Sequence, residues 1–98
     1  MPTKKSYKEF VLEQLNGLNG ITCKPMMGEY LLYYNKVLFG GIYDDRLLVK
    51  KTKTNATYNM CEELPYDGAK PMFLVDCVDD KEIIKEIVLK TYEDLIKK

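Results

Sequence analysis

Residues 30–51, YLLYYNKVLFGGIYDDRLLVKK, decide the fold. Three apolar runs, about Tyr30 to Tyr34, Val37 to Tyr43 and Leu47 to Lys51, are parted only by short polar breaks. Aromatic and β-branched residues clustered in this way suit a pleated, half-buried surface. Asn35-Lys36 leaves two residues for the first turn, and Asp44-Asp45-Arg46 leaves three for the second. Loops this short force neighbouring strands to run antiparallel, because a parallel crossover needs a dozen residues or more. A three-strand meander is predicted. Gly40-Gly41 falls inside the middle strand, where paired glycines mark a bulge, a close approach of a helix, or an exposed groove for a ligand.

Upstream, residues 21–27 read as an earlier extended segment in which Pro25, lacking a donor, suits only an edge or a bulge. Before that, Ser6-Tyr7-Lys8-Glu9 has the form of a capping box, and Tyr7, Phe10, Val11, Leu15 and Leu18 follow at helical spacing. A helix is expected there, ended by Gly17 or Gly20 in the left-handed conformation. Downstream, residues 54–63 predict a short helix capped by Thr54, and residues 64–68 a loop. Lys70 to Val78 returns to strand character. Asp79-Asp80-Lys81-Glu82 repeats the capping-box logic ahead of a last helix, whose Ile84, Ile87, Val88, Thr91, Tyr92 and Leu95 share one face.

With 98 residues the chain has material for one core, so residues 1–98 are expected to form a single α+β domain. Its mainly antiparallel sheet, a three-strand meander plus further strands, should pack against the N- and C-terminal helices. Fifteen acidic and fifteen basic residues cancel, which removes the excess charge that draws proteins onto phosphate backbones. The balance is uneven: residues 1–53 carry nine basic and five acidic groups, residues 54–98 six and ten. Fourteen of the fifteen cations are lysine, and Arg46 alone offers the planar fork that grips phosphate or carboxylate by two bonds. The longest apolar run is too short to span a bilayer and no secretory leader is visible, so a cytoplasmic protein without membrane contact is expected. In that setting Asn55-Ala56-Thr57 is not a glycosylation site.

No histidine is present, which excludes Ser-His-Asp and Cys-His arrangements. Cys23, Cys61 and Cys77 lie too far apart to suggest a zinc site and read as small buried hydrophobes, with Cys77 in the strand alternation the clearest case. Tyr66-x-x-x-Lys70 has the spacing of an activated tyrosine, but Asp67-Gly68 predicts a turn between them and no dinucleotide loop precedes. No catalytic residue, metal or cofactor is therefore assigned. Tyr33, Lys36, Arg46, Lys50, Lys51 and Lys53 form the candidate partner-binding set, an interleaving of aromatic and cationic groups on the meander and just beyond it. A protein partner of unknown identity is the expected ligand, and a homodimer would cover the edges a meander leaves open. Two alternatives stand beside it. Tyrosines among lysines also suit single-stranded nucleic acid, although no RRM-type motif is present, and a pocket using Tyr and Lys near Gly40, Gly41 and Tyr66 would suit a small-molecule-binding protein or a minor enzyme.

Further motifs carry a family resemblance. Met26-Met27-Gly28-Glu29-Tyr30, the Asn35-Lys36 hairpin, Leu47-Leu48-Val49-Lys50 and Gly68-Ala69-Lys70-Pro71-Met72 resemble, in order, the N-terminal domain family of TfoX, the bacterial competence regulator. Glu29 and Asn35 stand where that family's pattern has glycines, and Met27 where it has phenylalanine. The resemblance implies an α+β fold similar to the secretion-chaperone-like class and a non-enzymatic regulatory or protein-interaction role. Two-domain members add a C-terminal helical domain, so the resemblance also implies a stand-alone domain here.

Overall fold

The computed structural model describes residues 4–76 and 78–97. Helix α1 (Lys5–Gln14) leads into four strands, β1 (Ile21–Met26), β2 (Glu29–Tyr34), β3 (Val37–Ile42) and β4 (Leu47–Val49). A 3-10 turn (Asn55–Tyr58), the two-residue strand β5 (Glu62–Glu63), β6 (Met72–Val75) and the long helix α2 (Lys81–Ile96) follow. The strands make one antiparallel sheet in the order β1-β2-β3-β4-β6-β5. The α+β expectation holds.

Each of the first three connections is a two-residue hairpin turn with both central residues at positive φ. Met27 and Gly28 stand at 50° and 87°, Asn35 and Lys36 at 50° and 69°, Asp44 and Asp45 at 52° and 57°. This turn geometry matches the right-handed twist of the flanking strands across so short a loop. The second turn is therefore shorter than Asp44-Asp45-Arg46: Tyr43 and Arg46 exchange both backbone hydrogen bonds, at 2.8 and 3.0 Å, and Arg46 joins the ladder. Pro25 lies on the outermost strand, as its missing donor requires.

Strand parity sorts the sheet into two faces. Leu32, Phe39, Ile42, Leu47, Val49, Phe73 and Val75 meet Val11 and Leu15 of α1 and Ile84, Ile87 and Val88 of α2 in one core cluster. Tyr34 also meets Tyr92 of α2 edge to face, at 4.7 Å between ring centroids. A bulge makes this sorting possible: Leu32 pairs with Gly40 and Tyr33 with Leu38, so Phe39 is the extra residue. Phe39 is thereby fully buried in the helix layer, and Leu38 joins Tyr33 on the other side of the sheet. The adjoining glycines are needed for close approach. A Cβ on Gly40 would collide with the Leu48 carbonyl oxygen, and one on Gly41 would lie 2.6 Å from that of Tyr30.

The helix ends depart from the capping-box reading. Ser6 lies inside α1, whose N-cap is Lys4 and makes no side-chain cap. Asp45, in the β3–β4 turn, accepts a hydrogen bond from the Lys4 backbone N–H at 2.8 Å, so a tertiary contact takes over. Asp80, not Asp79, caps α2 by accepting from the Glu82 and Ile83 N–H groups, each at 3.2 Å. Gly20 does have positive φ, but α1 ends at Gln14, well before it. Phe10, expected in the core, is 42% exposed. Gln14 is buried instead and donates to the Val78 carbonyl at 2.7 Å. Residues 54–63 hold a single 3-10 turn, stopped by Asn59 at φ 57°, after which Glu62 and Glu63 pair with β6. Among the described residues, no helix is long and apolar enough to cross a membrane.

Candidate functional site

The face of the sheet away from the helices carries Tyr33, Leu38, Leu48, Met72 and Leu74, and its cover is a loop, not a helix. Residues 64–71 face residues of β3 and β6 across a groove of about 660 Å³. Pro65, Tyr66, Ala69 and Pro71 form the loop side, while Leu38, Gly40, Tyr43 and Met72 form the sheet side. Lys50, Lys51 and Lys70 stand where β4 has just ended and β6 is about to begin. Among the described residues, no carboxylate lines the groove.

Local structure fixes these groups. The Lys50 backbone N–H donates to the Phe39 carbonyl at 2.8 Å, which carries the ladder past the bulge. Beyond it, fully buried Asn55 donates through Nδ2 to the Lys50 carbonyl at 2.7 Å and to Thr91 Oγ1 at 2.8 Å. Its Oδ1 accepts from the Thr52 N–H at 2.9 Å. Burying one amide with all these partners joins the end of β4 to α2, since leaving any of them unpaired would cost about 1–3 kcal/mol. Asp94 of α2 accepts from the Thr54 N–H and hydroxyl, at 2.9 and 3.0 Å. These bonds, the backbone one first, hold its carboxyl below the usual range.

At the other end of the groove Arg46 anchors the covering loop. Its Nη1 meets Glu63 Oε1 at 2.9 Å, Nη2 donates to the Leu64 carbonyl at 3.1 Å, and Nε to the Tyr43 carbonyl at 3.2 Å. Tyr43 is 6% exposed and its ring lies 6.3 Å from that of Tyr66, which is 59% exposed. Burial, reinforced by neighbouring Tyr66, Glu29 and Tyr33, pushes the Tyr43 phenol up. The phenol therefore stays protonated at neutral pH. Burial likewise raises the Cys23 thiol. Cys61 is exposed, contrary to the reading of all three cysteines as buried, and Cys77 lies outside the described residues.

The six sequence-predicted contact residues are thus distributed unequally. Lys50 and Lys51 share the groove. Lys51 also forms an ion pair with Glu62 at 3.2 Å and stands 5.7 Å over the Phe73 ring. Lys53 and Lys51 line a second cavity of about 590 Å³ with Asp94 and Lys97. Tyr33 pairs with the groove residue Leu38 but does not itself line the groove, and its ring lies under the Lys24 ammonium at 5.2 Å. Lys36 is exposed in its turn and lines neither cavity. Arg46 sits at the far end, engaged with the loop. Sequence reasoning passed over Lys70 as a partner: a helical Tyr-Lys pair was rightly rejected, yet the loop brings Tyr66 and Lys70 to one groove. The two prolines bracketing that loop were the available signal.

The sequence matches the description of the TfoX N-terminal domain over residues 13–95. The chain belongs to that family. An uncharacterised 12.7 kDa protein in the trpE 5′ region of Spirochaeta aurantia is 34% identical to it over 80 residues, covering 80% of this chain and 70% of that protein. The match to the TfoX N-terminal domain takes in all six strands, the groove and nearly all of α2.

Proposed function

We propose that this TfoX N-terminal domain is a non-enzymatic, regulatory protein-interaction module that binds its partner on the open face of the sheet. One observation carries the reading: the helices close one face, while the other keeps a groove with tyrosine and aliphatic walls and a lysine end. Apolar surface rimmed by polar groups is what a partner desolvates on binding. The raised Tyr43 phenol and Cys23 thiol favour a binding surface over an activated nucleophile. A cytoplasmic setting belongs to the same proposal.

Affinity capture from cell extract with wild-type chain and with Tyr66→Ala tests it. A protein retained by the wild type and lost from a folded Tyr66→Ala chain is the expected result. Capture indifferent to that substitution, or turnover of a metabolite by purified chain that the substitution abolishes, would overturn the reading.

A further inference from the structure

We infer that the groove takes an acidic segment of a partner protein with an aromatic or long aliphatic side chain among its carboxylates. The inference rests on the interaction reading above and names the chemistry of the partner.

Charge complementarity supplies the first argument. Lys50, Lys51 and Lys70 line the groove, and among the described residues no carboxylate does. Among the described residues, neither Lys50 nor Lys70 has an acidic partner within ion-pair distance. Lys51 is partly neutralised by Glu62. A chain with zero formal net charge has therefore concentrated positive potential at one site, and opposite charges steer encounter and set orientation there.

The walls supply the second. Tyr66 presents an exposed ring against the half-buried Leu38 and Met72, a surface that recovers free energy only when an apolar side chain covers it. Pro65 and Pro71 stiffen the covering loop and Arg46 ties its start to the sheet, so less ordering is left to occur on binding. The cations at the site are lysines, mobile point charges that tolerate carboxylates in varied positions, whereas fixed bidentate recognition of phosphate calls for arginine. Arg46, the sole arginine, is engaged elsewhere. These features favour an acidic peptide over a nucleic-acid strand.

The test is a fluorescence titration of the full chain with synthetic peptides. The probe alternates aspartate or glutamate with phenylalanine. One control replaces each acid by lysine, a second replaces each phenylalanine by alanine, and a third ligand is single-stranded oligothymidylate. The probe should bind at least about tenfold more tightly than any control, about the effect of one hot-spot group. Binding should weaken as salt rises and fall at least about tenfold in Lys50→Glu/Lys70→Glu chain whose circular dichroism is unchanged. No probe binding, equal binding of either peptide control, indifference to the double substitution, or tighter binding of the oligonucleotide would each overturn the inference. If the probe fails while Tyr66→Ala still loses the captured partner, only the acidic chemistry falls and the interaction reading stands. If that substitution leaves capture untouched, both fall.

Discussion

The two faces of the sheet come from the same strands and meet opposite fates. On the helix side seven strand residues are at most 7% exposed, packed under α1 and α2. On the loop side Leu48 is fully buried, but Leu38, Met72 and Leu74 remain half-buried, and Tyr66, which lines the groove with Leu38 and Met72, is 59% exposed. Closing a face with helices removes its apolar surface from water, worth roughly 1.5–3 kcal/mol for each large side chain. Covering it with a loop leaves part of that surface for another molecule. Stability and recognition are therefore separated here by strand parity.

Substitutions can break or sharpen that separation. The largest effect is expected from Phe39→Ala, which empties the bulge residue from the helix layer and should cost about 4 kcal/mol. Urea unfolding reads it as a lower midpoint at unchanged slope. A cost below 1 kcal/mol would mean the helix side is not the stabilising face. Asn55→Ala comes next. It leaves the Lys50 carbonyl and the Thr52 N–H without their buried partner and should cost about 2–3 kcal/mol in the same measurement. Tyr66→Ala should shift stability by less than about 1 kcal/mol, while removing partner binding. A large loss of stability there would make the loop side a second core.

The smallest effect sharpens the account of the clamp behind the lysines. The Asp94 carboxyl is held below its ordinary value of 3.8, first by the Thr54 backbone N–H. A depressed folded-state pKa contributes stability that is present above the unfolded value and lost as pH falls through the folded one. Wild-type chain should therefore lose stability on acidification in that window where Asp94→Asn does not, and acid titrations followed by circular dichroism would show the two curves converging. Parallel curves would mean that the Thr54 bonds do not favour the charged form.

Much of the architecture was legible in local pattern, because turns and strand alternation are local physics. Asn35-Lys36 between two apolar runs specifies a hairpin, and the face shared by Ile84, Ile87, Val88 and Thr91 specifies how α2 docks. Two misreadings fall where a distant residue intervenes. Ser6 loses its capping role when Asp45 reaches the first turn of α1, and the second half of the expected 54–63 helix is drawn out as β5 by pairing with β6. The candidate contact set shows the same division: Lys50 and Lys51 line the groove from positions just after β4. Lys70 reaches the same groove only through the fold of residues 64–71, which brings it beside residues more than twenty positions earlier.

From the sequence alone came the meander, the two flanking helices, the balanced charge and the family resemblance, since each rests on neighbours along the chain or on composition. A pocket near Gly40 and Tyr66 was already among the sequence expectations, but tertiary structure alone decided that Phe39 is the residue the bulge sends inward, that β6 inserts beside β4, and which lysines line that pocket. Those outcomes depend on which surfaces meet once the chain has collapsed. Burial and long-range hydrogen bonding choose among local patterns that by themselves permit more than one arrangement.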